Sequence, residues 1–187
     1  MMKFNAILEE VKRTSAAISA TEAKEKELAN SYIKLDSLKD RHNRYKAIEA
    51  ELIANEELLR HLKISRHILK SNARVALFNE VLPVLVEVLE KYKGKPYGEK
   101  TRQKISDEVQ SRAGCRAYIG SGYSSQTVEF YPVNGYGNDY NISIGTAYNN
   151  GQCRKFLIDN KIQAVPAEEL VLCYVSREYV EDIPARV

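Results

Sequence analysis

The sequence predicts an α+β fold: a long N-terminal coiled-coil or helical region, followed by a small domain in which helices flank a three- or four-stranded antiparallel sheet. The first sign is the distribution of breakers. The first proline is Pro83 and the first glycine is Gly94, so neither strong interrupter of regular structure occurs earlier. The second sign is a heptad of apolar positions running toward Leu69. The third is a change of period: beyond Cys115, apolar residues alternate with polar or tyrosine residues, as on strands covered on one face. Residues 1–93 are expected to form a helical oligomerisation region and residues 94–187 an α+β domain.

In the first region Phe4, Leu8, Val11 and Ile18 keep helical spacing, but the next core slots fall on Glu22 and Glu25. Ser19 and Glu22 stand at capping-box spacing, which predicts a break between Ser19 and Glu27. Leu38, Tyr45, Leu52 and Leu59 then recur every seven residues, joined by Ile48, Leu62 and Leu69, with Asn55 in the remaining slot. Such a stripe is a coiled-coil seam or the core stripe of a helical hairpin. Asn55 is either a tolerated polar residue inside one chain or a buried amide that fixes register between chains. A further helix is expected from Ala73 to Tyr92, apolar on several sides and hence buried, with Pro83 kinking it or opening a new helix. If the chain folds back, Ser71-Asn72 is the expected corner. A lone helix with this seam leaves much apolar surface in water, which favours self-association, most simply a dimer, through Leu38, Tyr45, Ile48, Leu52, Asn55, Leu59 and Leu62.

In the second region Glu99 to Arg112 reads as a helix with Ile105 and Val109 on one face and Gly114 as its C-cap. The pairs Ala117/Ile119, Val128/Phe130 and Ile142/Ile144 mark three strands. Turns are expected at Ser121-Gly122, at 134–138 and at Asn149-Asn150-Gly151, the last leading into a fourth strand from Gln152 to Ile158. A final helix is expected from Pro166, with Glu168 and Glu169 in its first turn. In topology alone this order resembles the double-stranded-RNA-binding domain. Those domains carry a basic cluster where this chain has Pro166-Ala167-Glu168-Glu169, so the resemblance implies no phosphate contact there.

Charge points to a partner class. Residues 1–93 hold 17 Lys or Arg against 14 Asp or Glu, whereas residues 94–187 hold 11 against 11. Arg60, Lys63, His67, Lys70 and Arg74 fall three or four residues apart, on one stripe of a helix, and no acidic residue occurs from Leu58 to Asn79. A second cluster lies upstream, with Arg41 and Arg44 flanked by Lys39, His42 and Lys46. Salt-bridged surface helices alternate signs; an uninterrupted positive stripe suits a nucleic-acid backbone or an acidic protein surface. The bland alternative is a solvated flank that pairs with acids of a neighbouring helix. The expected function is a non-catalytic oligomeric binding protein that meets nucleic acid, or a nucleic-acid-processing complex, through this stripe.

The alternative is a protein-interaction module, of the kind a phage or mobile element uses as an inhibitor or adaptor against a host protein. It would act through tyrosines of the second region: Tyr118, Tyr123, Tyr131 and Tyr136. An enzyme is harder to build. Residues 94–187 contain no histidine, and Gly120-Ser121-Gly122 lacks the lysine and the strand-loop-helix setting of a P-loop. Cys115, Cys153 and Cys173 show no metal-ligand or disulfide spacing, so reduced thiols, no cofactor and no metal are expected. Val81 to Leu89 is too short to cross a bilayer and Met1 to Phe4 does not resemble a signal peptide, which predicts a cytoplasmic protein without membrane contact.

Overall fold

The computed structural model describes residues 3–34, 41–120, 126–133, 140–147 and 153–173. Three α-helices come first: α1 (Phe4–Lys34), α2 (Arg41–Tyr92) and α3 (Glu99–Ala113). Strands β1 (Cys115–Ile119), β2 (Thr127–Pro132), β3 (Ile142–Thr146), β4 (Leu157–Ile158), β5 (Lys161–Ile162) and β6 (Leu170–Cys173) follow. The architecture is α+β, long helices and then a small antiparallel sheet with a helix, as the sequence predicts. Two compact units emerge, Met1–Ala73 and Arg74–Val187, and α2 contributes residues to both.

The first unit is an antiparallel hairpin of α1 against α2. Tyr32 meets Tyr45 edge to face at 4.7 Å, Lys24 approaches Glu51 at 3.8 Å, and Asn55 donates its amide hydrogen to the Thr21 carbonyl at 3.0 Å. Reading up α1 thus means reading down α2. Both helices pass through places where the sequence predicted interruption. α1 is continuous across Ser19–Glu27, and α2 continues through Ser71 and Asn72, so the reversal falls between Lys34 and Arg41 instead. Strong helix formers fill Ser19–Glu27, and propensity outweighs an isolated capping pair there. Phe4, Leu8, Val11 and Ile18 are buried, as their spacing predicts. Leu38 lies outside the described residues.

In the second unit, Val81, Val84, Leu85, Val88 and Leu89 of α2 are buried. Pro83 sits inside the uninterrupted helix on an exposed position, and the residue whose carbonyl it leaves unpaired, Asn79, is exposed as well, so water can solvate that group. α3 ends as expected, with Gly114 in the left-handed region at φ 66° and its N–H returning to the Gln110 carbonyl. Two ion pairs tie α2 to α3: Lys91 to Glu108 at 2.7 Å, and Arg112 to Glu87. The Lys91 ammonium beside Glu108 holds that carboxyl below its ordinary 4.5, against the opposing effect of burial, and the Tyr92 hydroxyl and Arg112 add to the depression.

The sheet runs in the order β1-β2-β3-β6, all antiparallel. Ala117, Ile119, Val128, Phe130, Ile142, Ile144 and Leu170 form its buried face, with Ile105 and Val109 of α3 also buried. Three details differ from the sequence reading. Instead of a final helix, Pro166 precedes a single 3-10 turn, Ala167–Glu169, which feeds directly into β6. The segment Leu170–Cys173 is apolar throughout, and it supplies the fourth strand in place of Gln152–Ile158. Among the described residues of that expected strand, Leu157–Ile158 alone pairs as a strand, in a short hairpin with β5. The double-stranded-RNA-binding order is therefore not reproduced among the described residues. Lastly, all five residues of β3 are buried, so Ser143, which alternation places opposite the Ile142 and Ile144 side, is fully buried as well. The turns expected at Ser121-Gly122, 134–138 and 149–151 lie outside the described residues.

The β4–β5 turn places Asp159 at φ 49° and Asn160 at φ 57°, the two left-handed positions of a hairpin whose twist matches its strands. Replacing Asn160 by valine, which resists that conformation, is expected to cost about 1–2 kcal/mol in urea melts, while Asn160→Gly is expected to cost nothing. Glu108→Gln should lower the melting temperature at neutral pH. Because the folded carboxyl titrates below its unfolded value, wild type and variant should converge as pH falls from 4.5 through that depressed value.

Candidate nucleic-acid interface

Asn55 determines which side of α2 is outward. Its side chain is 5% exposed and reaches Thr21 of α1, so it serves the interior of one chain, the first of the two readings its position allows. The carbonyl it meets belongs to a buried residue whose own hydroxyl bonds the Ala17 carbonyl at 2.8 Å. Tyr45, Ile48, Leu52, Leu59 and Leu62 share the Asn55 side of α2 and are half-buried. The seam residues therefore lie along the hairpin's own interface, partly covered within a single chain.

The cations flank that seam. Lys63 is half-buried and lies 3.7 Å from Glu22 of α1; Arg60 is exposed and lies 3.8 Å from Glu57, one turn back on its own helix. Both separations are near the limit of an ion pair, and all four groups keep substantial solvent contact, so each pair contributes about 0–1 kcal/mol and is screened by salt. Arg44 and His67 are exposed, and Arg66 and Lys70 are half-buried. Lys70 and Arg74 also interact with groups of their own chain. Arg74 is the first residue of the second unit. The Arg41 side chain lies outside what the structure describes. Within the first unit the stripe from Arg60 to Lys70 thus lies on one helix, tempered by interactions inside the chain at Arg60, Lys63 and Lys70.

The tyrosines divide. Tyr123 and Tyr136 lie outside the described residues. Tyr118 is 38% exposed, and the Arg102 guanidinium of α3 sits 5.8 Å from its ring centroid. Directly across the ladder from Tyr118 stands Glu129, whose carboxylate accepts the Tyr131 hydroxyl; that bond and burial push the Tyr131 hydroxyl up to about 12. Arg102 escapes sequence reasoning because it comes from a different element, with no spacing that links it to Tyr118. This face mixes aromatic, acidic and basic groups in close sequence. Tyr97 lies beside it, its hydroxyl accepting the Ile119 N–H at 2.9 Å.

Two of the thiols, Cys115 and Cys173, are held toward the protonated form. Burial and the neighbouring Glu80 charge push Cys115 up to about 12. Burial raises Cys173 as well; its sulfur packs over Gly145, where an added Cβ would stand 2.6 Å from it. No cluster of three metal-ligating side chains occurs among the described residues, and no described helix is long and apolar enough to cross a membrane. No family model, curated protein or solved structure matches the chain.

Asn55→Ala should remove this buried polar tie between α1 and α2 and lower stability by about 1–2 kcal/mol in chemical denaturation. Hydrogen exchange should show the loss concentrated in residues 17–25 and 51–59.

Proposed function

We propose that the chain is a non-catalytic, self-associating binding protein that contacts a nucleic-acid backbone through the cations of α2. The observation that carries this reading is the run from Leu58 to Asn79, helical throughout, with Arg60, Lys63, Arg66, Lys70 and Arg74 and no acidic residue. The carboxylates opposing Arg60 and Lys63 are exposed or half-exposed, at distances where a phosphate competes well. Phosphate contacts are sequence-independent and release condensed counterions, so such a surface binds by charge density rather than by base identity. Reduced thiols, with Cys115 inert, accord with a cytoplasmic setting.

A second reading takes its support from the sheet. Glu129 stands among Tyr118 and Tyr131, and a carboxylate beside the aromatic rings repels phosphates while suiting a protein partner with its own donors. On that reading the chain is an inhibitor or adaptor of phage or mobile-element type, acting on a host protein.

Gel-shift titration over salt separates the two. Duplex DNA and RNA should bind at low salt, with affinity falling linearly in log–log coordinates. In the variant Lys63→Gln/Lys70→Gln the slope should shrink by about 2, one unit per lost phosphate contact. Absence of binding to either duplex or to single strands at low salt overturns the nucleic-acid reading and leaves the protein partner.

A further inference from the structure

The side of α2 turned away from Asn55 carries a second ordered pattern. Ala50, Ile53, Glu57, Arg60, Ile64 and His67 are spaced three, four, three, four and three residues apart, the spacing of a helix-packing seam. All six are exposed, Ile53 by 60% and Ile64 by 42%, with the Glu57 and Arg60 side chains at 63% and 55%. Ile68, 53% exposed, borders the stripe. Two isoleucines bracketing an acid and a base, all in water, is not the pattern of a solvated helix flank, which is polar throughout.

The order of these residues is self-complementary under a two-fold axis. In an isologous antiparallel pair, residue i meets residue j of the other copy and j meets i. Setting Glu57 against Arg60 of a second copy fixes the register, and that register also sets Ile53 against Ile64 and the small Ala50 against the bulky His67. The neighbouring registers fail: matching Glu57 with itself opposes like charges, and matching Arg60 with Ile64 buries a guanidinium against an isoleucine while separating Ile53 from any apolar partner. One setting satisfies charge, apolar contact and size together, which a partner of unrelated sequence has no reason to share.

We infer that a second copy of this chain docks antiparallel on the outer face of α2, with Glu57 facing Arg60 and Ile53 facing Ile64 across the two-fold. This rests on the self-association part of the proposed function and moves its interface away from the Leu52–Leu62 seam, which the hairpin partly covers for itself. The arrangement takes Arg60 and His67 into the interface and leaves Lys63 and Lys70 beside it, so in the assembled pair the phosphate contacts fall to those two lysines of each copy, and two cationic flanks are joined in one assembly.

The test is the solution mass of the full chain by light scattering, for wild type, Glu57→Arg, Arg60→Glu and the double exchange. Wild type should measure twice 21.3 kDa. Each single reversal should oppose like charges at two symmetry-related places and weaken the dimer by about tenfold or more, and the double exchange should restore it. Circular dichroism checks that helix content is unchanged, as expected for exposed positions. A monomeric wild type at all concentrations overturns self-association and the register with it. A dimeric wild type whose single variants remain equally dimeric, or whose double exchange fails to recover, overturns this register while self-association stands.

Discussion

The amide of Asn55 on the Thr21 carbonyl governs how the first unit can be read. A backbone carbonyl has two lone pairs, so a mid-helix residue can accept a side-chain donor while keeping its helical bond. With both residues buried, water cannot take the place of either partner, and sliding α1 along α2 by one turn would strand the amide. Register follows from this one contact, and the rotation of α2 about its axis follows from register. Which side chains face outward follows from that rotation: Leu59 and Leu62 are half-buried, Lys63 flanks them, and Ile53 and Ile64 are exposed on the far side.

The second unit obeys a different constraint. Its sheet is closed on one face by apolar residues including Phe130 and Ile144, neither of which is exposed at all, and β6 completes it as the strand beside β3. The bare Cα of Gly145 accommodates the Cys173 sulfur, so β3 and β6 fit together through an absent side chain. On the same side of β3 the Ser143 hydroxyl is buried and finds no hydrogen-bond partner among the described residues. Ser143 shares that face with its ladder partner Glu129, and toward β1 the face carries Tyr118, Glu129 and Tyr131 with Arg102 of α3 beside them, while the positive charge of the molecule is concentrated in α2.

Much of this was legible in the residues. The α3 helix with its Gly114 cap, the parity of β1 and β2, and the cation stripe all follow from local spacing, which the structure preserves. The chain reversal was not legible, because no glycine or proline occurs between Lys34 and Arg41, while the capping pair at Ser19 and Glu22 and the Ser71-Asn72 corner drew the expected breaks elsewhere. Pro166 with two following glutamates carries a strong helix-start signal, yet Leu170 to Cys173 gains more from pairing with β3 than from continuing a helix. Asp159-Asn160 is a proper hairpin turn that the neighbouring Asn150-Gly151 signal overshadowed. The partner of Asn55 lies 34 residues away in sequence, and no pattern in either helix announces it. The Arg102–Tyr118 contact was equally invisible, since it joins a helix to a strand. Local periodicity reports which face of an element is apolar; it does not report which other element covers that face.

Lysine footprinting of the full chain by mass spectrometry, with and without saturating duplex nucleic acid at low salt, tests the central claim most directly. The account predicts that Lys63 and Lys70 lose reactivity toward an acylating reagent in the complex while Lys93 and Lys100 keep theirs. Protection confined to lysines beyond Gly94, or none anywhere in the chain, would contradict it.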